Sequence, residues 1–578
     1  MSEDIRSKPV IASQGLASDA VVDALVEEGV QFVFGMTGDT ILPIIDAIYR
    51  RQDKIRYITT RVEMSAVAMA DGYSRVTGGL GVATMHVGPA VANAVLGTWT
   101  AAKDNVPVMV LSANLDRYRL GRDLWHEFDV VGVFKKFTKF SEQMLEAKDA
   151  RRLMRTAMQA ALSGLPGAVH IDFPKDLLAQ PAEVESSDLS LKGGSHMGYV
   201  TRAMRPEAAA LEQAVTLLAG AKNPVIVAGR GVTWSRAHAE LVRFADALSI
   251  PVVAVEMGRG NIPEDHELAC GLLGHFGQTA ANTMLGEADV VLGLSCQFRN
   301  VNTINWQLIS TAAKIIQVEA DPVDLGRQYA VQLGIQADCR SFLEDALAIV
   351  ASKKLSRAAA DRARAASAIA AYKKREREIY FNADLDSKPI KPQLIVKVLE
   401  KVAKKDAIFV MGAGHNTHFS NFLPIYRPDS YHCASGTGSM AWAFAAALGM
   451  KLGRPERQVI VPIGDGDFSM NAQEIETAVR ENIPVTVVIY NDKSFGALRI
   501  FQKGYYGNRQ LGSEYGETDF VKLAEAYGAV GFRVDDPKDL EPVVLKALAL
   551  DKVAIVDVRI DPWELAHRAP EFKEFHRF

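Results

Sequence analysis

Short apolar runs, each closed by a turn and followed by a stretch of helical periodicity, recur along this chain and constrain its fold more than any other feature. In the first third they fall at residues 30–34, 82–86, 108–111 and 169–173, with a helical pattern over 17–28. The pattern returns at 224–228, 290–294 and 314–318, and again at 407–411, 458–463, 485–490 and 553–558. Strands separated by helical crossovers pair in parallel, and a parallel sheet must be covered on both faces. The expectation is an α/β protein of three doubly wound parallel-sheet domains, alike in rhythm and so related.

The boundaries expected are 1–185, 200–352 and 386–560. A Ser- and Gly-bearing linker lies near 181–204. An Ala-, Arg- and Lys-rich stretch within 353–385 reads as an exposed helical connector. Residues 561–578 set Trp563, Phe572, Phe575 and Phe578 among charges, as a lid or as packing at a subunit contact.

A chain of 578 residues with 23% charged residues and a net charge of only −4 argues against a general nucleic-acid or membrane-surface role. No apolar run approaches the ~18 residues needed to span a bilayer, and the polar first residues lack a signal core, so a cytoplasmic enzyme with a small-molecule substrate is expected. The four cysteines include no C-x-x-C pair, so neither zinc nor a disulfide framework is signalled.

The most informative segment is 459–501. An apolar strand ends in Gly464–Asp465–Gly466–Asp467, a helical stretch is expected from Asn471 to Glu481, and a second strand ends at Asn491–Asp492. Asp465 and Asp492 therefore sit at the carboxyl ends of two strands, where open parallel sheets bind ligands. Two such oxygens suit Mg²⁺, and Gly464 and Gly466 let the backbone approach a phosphate.

A GDG turn followed one crossover later by Asn-Asp resembles the signature of thiamine-diphosphate-dependent enzymes, the superfamily of acetolactate synthase, benzoylformate decarboxylase and 2-hydroxyacyl-CoA lyase. The resemblance covers essentially the whole chain. It implies pyrimidine-binding, central and diphosphate-binding domains in that order. It makes Asp465, Asp492 and the Ser494 carbonyl Mg²⁺ ligands. The family's last motif residue is usually Asn; Asp492 still offers oxygen and adds charge. Cofactor contacts are implied for Gly412, His415 and Asn416, for Gly438 and Met440 (the wedge that bends the cofactor), and for Gly464, Gly466, Asp467 and Phe495. Phe495, Leu498 and Phe501 would form an apolar wall.

Residues 61–75, with Glu63 opening a helix of small residues that runs to Gly72–Tyr73–Ser74–Arg75, resemble the family's activating segment. By that resemblance Glu63 hydrogen-bonds the cofactor's pyrimidine, and the family's meeting of this glutamate with the diphosphate site across an interface implies a homo-oligomer, a dimer at minimum and a tetramer by family habit. On the substrate side, His86 resembles a histidine of benzoylformate decarboxylase. His126 and Glu127 stand where relatives read Gln-Glu. Asp39 lies in a loop, 35–43, matching the acetolactate-synthase-like branch, and reads either as an acid–base group or as a helix N-cap.

The implied chemistry is lyase or carboligase action on a 2-keto acid or a 2-hydroxyacyl-CoA through a stabilised C2 carbanion. A 2-hydroxyacyl-CoA lyase releasing formyl-CoA, a flavin-dependent oxidase and a non-catalytic paralogue stand as alternatives. Gly229–Arg230–Gly231 leaves FAD, or the ADP part of CoA, open for the central domain.

Overall fold

The computed structural model describes residues 15–182 and 204–566. They form two compact units, divided within the undescribed stretch 183–203. Most of the expected linker, and Phe572, Phe575 and Phe578 of the expected lid, lie outside the described residues.

The first unit is built on a six-stranded sheet ordered Arg56–Thr59, Phe32–Gly35, Gly81–His86, Val108–Asn114, Val169–Pro174 and Phe140–Gln143, every pair parallel. Side chains alternate across a strand. Met109, Leu111 and Ala113, with Val169, Ile171 and Phe173, accordingly join one apolar cluster with helices Ala17–Glu27, Leu42–Tyr49 and Ala150–Leu162. Helices Glu63–Thr77 and Pro89–Lys103 lie against each other and against the strand Gly81–His86. The intervening strand positions carry a fully buried polar network. The Ser112 hydroxyl donates to Asp172 (2.6 Å), and His170 meets Ser112 and Ser141 through its two ring nitrogens, each at 2.9 Å.

The second unit carries two further parallel six-stranded sheets. The first runs Leu333–Gln336, Lys314–Glu319, Val290–Leu294, Pro224–Ala228, Val252–Ala254, Ala269–Leu272. The other runs Tyr431–His432, Ile408–Val410, Val459–Gly464, Thr486–Asn491, Ala554–Arg559, Val530–Val534. Numbered within each domain, the N-terminal and C-terminal sheets share the order 2-1-3-4-6-5, whereas the central sheet reads 3-2-1-4-5-6. The likeness expected of all three domains thus holds at the level of topology for the outer pair.

Three local expectations change. The helix expected over 471–481 is shorter, Glu474–Arg480, and the turn expected at 464–467 runs into a short helix of its own, Asp465–Ser469. The Ala- and Arg-rich stretch forms a helix, Ala359–Tyr380, but it is more than an exposed connector. Its Glu376 carboxylate accepts from the Thr279 N–H (2.9 Å) and hydroxyl (2.8 Å) at the start of helix Thr279–Gly286, and its Tyr380 stacks on Phe422. Helix Leu42–Tyr49 starts from Ile41 with no side-chain cap, so Asp39 is not its N-cap. No described helix is long and apolar enough to cross a membrane.

Candidate active site

In the C-terminal sheet the chain leaves Ile408–Val410 toward one edge and returns through Val459–Gly464 toward the other, so the loops after these two strands diverge. A crevice opens at such a reversal. Here it is a cavity of about 240 Å³ lined by His415, Asn416, Gly438, Met440, Gly464, Asp465, Gly466, Asp467, Asp492, Ser494 and Phe495. Leu498 also lines it, while Phe501 lies apart, near Tyr505. Gly412 stands behind the wall. Its carbonyl accepts from Asn416, and a side chain there would collide with Ile463 and Asp467.

Asp465 is buried, and Asp492, half-buried as a residue, keeps its side chain only 7% exposed. Burial first, and then the charge of Asp492, lifts the Asp465 carboxyl to about 7. Burial also raises Asp492, against the pull of the Arg499 guanidinium, whose Nη2 lies 3.2 Å from Asp492 Oδ2. Arg499 also donates to the Pro562 carbonyl and lies over the Trp563 ring. The Tyr515 hydroxyl reaches the Ser494 carbonyl (3.2 Å) and the Asp465 carboxylate. A side chain at Gly466 would strike Tyr515 and Phe495.

Asp467 ties the rim together. Fully buried, it accepts from the Ala413 and Ala441 N–H groups, each at 2.6 Å, and so joins three loops. Asn471 adds a bond to the Ala441 carbonyl (2.8 Å), fixing the loop that presents Met440. His415 is neutral at pH 7, its imidazole brought down to about 4 by burial and by Arg499. Asn416 gives its amide N–H₂ to two backbone carbonyls, which leaves its buried Oδ1 without a partner beside the lining residues Gly414 and Gly464.

Two close buried carboxylates, an unpartnered amide oxygen and a glycine-lined wall suit a divalent cation carrying a phosphate-bearing guest. A cation would relieve the repulsion that raises Asp465, and its water could satisfy the Asn416 oxygen.

The first unit gathers its candidates at the corresponding reversal, between Phe32–Gly35 and Gly81–His86. Glu63 is the first residue of its helix and is buried, with Asn93 Nδ2 donating to its Oε2 at 3.0 Å. His86 ends its strand. Its Nδ1 lies 2.8 Å from the Thr40 hydroxyl and 3.4 Å from Asp39 Oδ1, and its Nε2 lies 3.2 Å from His126 Nδ1. Burial lowers the His86 imidazole, with Asp39 opposing. Asp39 is also bound to Lys175 (3.1 Å). Gly38 leaves room for the His86 ring, and Gly88, at φ +73°, leaves room for the His126 backbone. His126 itself adopts φ +72° and lies tilted against the exposed Trp125.

Glu127, expected beside the substrate, spends its carboxylate on its own loop. It accepts from the Leu124 N–H (2.9 Å) and from that of Gly121, bonds that hold its pKa low. Sequence reasoning did not single out Tyr515, Arg499, Asn471, Asn93, Thr40 or Lys175. None belongs to a spaced motif, and nothing in the linear chain sets Arg499, seven residues after Asp492, apart from Lys493 beside that acid.

Three family descriptions match the chain in order: the thiamine pyrophosphate enzyme N-terminal TPP-binding domain over residues 16–133, the central domain over 211–346, and the C-terminal TPP-binding domain over 412–558. The chain belongs to the thiamine pyrophosphate enzymes. Among these enzymes it resembles acetolactate synthase large subunits. It is 34% identical to a probable one from Methanocaldococcus jannaschii, covering 96% of this chain and 93% of that protein. The large subunit of isozyme 3 from Escherichia coli is 32% identical, over 94% of each chain. The one from Lactococcus lactis is 31% identical, over 95% of this chain and 93% of its own. These matches make the chain an acetolactate-synthase-like enzyme and favour that reading over a 2-hydroxyacyl-CoA lyase or a flavin oxidase.

Proposed function

We propose that the protein is a thiamine-diphosphate- and Mg²⁺-dependent carboligase that decarboxylates a 2-keto acid such as pyruvate and joins the remaining acyl carbon to a second keto acid. The observation that carries this reading is the pair of carboxylates, buried Asp465 and Asp492 with its side chain nearly covered, at the reversal of a sheet matched to the family's C-terminal TPP-binding domain. Bound there, the cofactor supplies a carbon nucleophile and an electron sink. Asp465, Asp492 and the Ser494 carbonyl would hold the cation. His415, Asn416, Gly438 and Gly464 would line the diphosphate, and Met440 and Phe495 the ring system. Glu63 would hold a proton at the pyrimidine, and His86 and His126 would move protons at the substrate.

The His86–His126 contact favours a second outcome at the same site, release of an aldehyde by protonation. Gly229 and Gly231 of the central domain are accounted for by close packing against Ser295, so FAD or an ADP or CoA moiety forms no part of the reading. The reading includes a cytoplasmic homo-oligomer of at least two copies, its size to be taken from light scattering.

The test is calorimetric titration of thiamine diphosphate with and without Mg²⁺, followed by incubation with pyruvate, benzoylformate and a 2-hydroxyacyl-CoA. Mg²⁺-dependent binding with acetolactate formed from pyruvate is expected. Aldehyde alone would select the decarboxylase, formyl-CoA would overturn both, and absence of cofactor binding would end the proposal.

A further inference from the structure

The hydroxyl of Thr40 is buried and has three neighbours: the Ala113 carbonyl at 2.6 Å, His86 Nδ1 at 2.8 Å and the Val87 N–H at 3.4 Å. A threonine hydroxyl has one proton and two lone pairs. A carbonyl can only accept, so the proton goes to Ala113. A backbone N–H can only donate, so Val87 takes one lone pair. The remaining lone pair faces His86 Nδ1, which must then bear hydrogen. Asp39 Oδ1, 3.4 Å from the same nitrogen, makes the same demand. With Nδ1 protonated, neutral His86 offers a lone pair at Nε2, and His126 Nδ1, 3.2 Å away, must donate to it. The free lone pair of the couple is thereby sent to His126 Nε2, which has no hydrogen-bond partner among the described residues.

We infer that Thr40 is a positioning residue that fixes the tautomers of both histidines, so that His126 presents Nε2 as the proton-accepting atom of a two-histidine relay. A proton arriving at His126 Nε2 allows the Nδ1 proton of His126 to pass to His86 Nε2. No proton is gained or lost in that handover, and the positive charge comes to rest on His86. The charged and titratable groups that act on it there are Asp39, Glu63, Lys175 and His126. Asp39 and Glu63 favour the charge, while Lys175 and His126 oppose it. That the relay serves the substrate rests on the proposed carboligase reading; the tautomer assignment does not.

The experiment is ¹⁵N NMR of histidine-labelled protein, with and without thiamine diphosphate and Mg²⁺, the two rings assigned by difference from His86→Gln and His126→Gln. Wild type and Thr40→Ser should both show His86 and His126 protonated at Nδ1. Thr40→Val, which keeps the shape and removes the hydroxyl, should mix the His86 tautomers and lower kcat about tenfold with KM little changed. Should the valine variant not fold, Thr40→Ala serves in its place. The inference is overturned if the variant without the hydroxyl keeps wild-type ring signals, if Thr40→Ser loses them, or if only Asp39→Asn alters them. A correct ring pattern in a protein that fails to bind cofactor would sink the carboligase reading and leave the tautomer assignment standing.

Discussion

Glu63 combines a helix N-terminus, burial and a single amide partner, Asn93, on one carboxylate oxygen. Glutamine at this position would keep the volume and accept the same bond, but could neither ionise nor hold a transferable proton. Glu63→Gln is therefore expected to lower kcat by roughly 10²–10⁴-fold, while thiamine diphosphate affinity changes only a few-fold. Steady-state rates set beside calorimetry would separate the two, and unimpaired turnover would remove Glu63 from the chemistry. The candidate residues legible in the sequence are those whose proposed role demands a spacing. Asp465 and Asp492 end two strands joined by one crossover, and Glu63 opens a helix of small residues. Tyr515 and Asn93 reach their acids from other segments, and nothing in the linear chain ties them to those acids. Glu127 shows the converse. Its place beside His126 suggested chemistry, but two backbone N–H groups of its own loop take up both oxygens of its carboxylate.

Among the elements, the central strands were legible because each is buried on both faces and reads as a continuous apolar run. The strands that sequence reasoning passed over are the six edge strands, Arg56–Thr59, Phe140–Gln143, Ala269–Leu272, Leu333–Gln336, Tyr431–His432 and Val530–Val534, together with Val252–Ala254 next to an edge. Most are short or half-exposed, and Arg56, Glu142 and Arg533 break their apolar pattern. One of them, Phe140–Gln143, lends Ser141 and Gln143 to the buried network around His170 and Asp172. Burial brings the His170 imidazole down to about 3, far below its ordinary 6.5. The unfolded chain then binds the extra proton first, so stability is full above pH 6.5 and falls as pH drops from there toward 3. Each unit costs about 1.4 kcal/mol once well below 6.5. His170→Gln, which can still bond both serines, should lessen the drop in melting temperature between pH 7.5 and 5. An unchanged pH slope would mean that His170 is not neutral in the fold.

At the scale of the molecule, the outer domains share one strand order, and in each the candidate residues cluster where that order reverses. The rhythm of the sequence announced three parallel sheets. It could not show that the middle one follows a different order, because strand order depends on crossovers that return to either side of a sheet with the same periodicity. A whole-molecule measurement follows from the charge at the C-terminal reversal. Asp465 and Asp492 repel each other in the protein without cation, and a ligand that binds only the folded state adds RT ln(1 + [L]/Kd), about 2.7 kcal/mol at a hundredfold excess. Thiamine diphosphate with Mg²⁺ should therefore raise the thermal midpoint of the wild-type protein, and either alone should raise it less. Asp465→Asn removes a buried charge that the fold holds at a cost while keeping an oxygen for the Tyr515 hydroxyl. Without ligand, this variant should melt no lower than the wild type, and it should show almost none of the shift on adding cofactor and cation. A variant that melted well below wild type and still responded fully to the pair would place the cation elsewhere, since a carboxylate that holds Mg²⁺ is a burden until the ion arrives and indispensable afterwards.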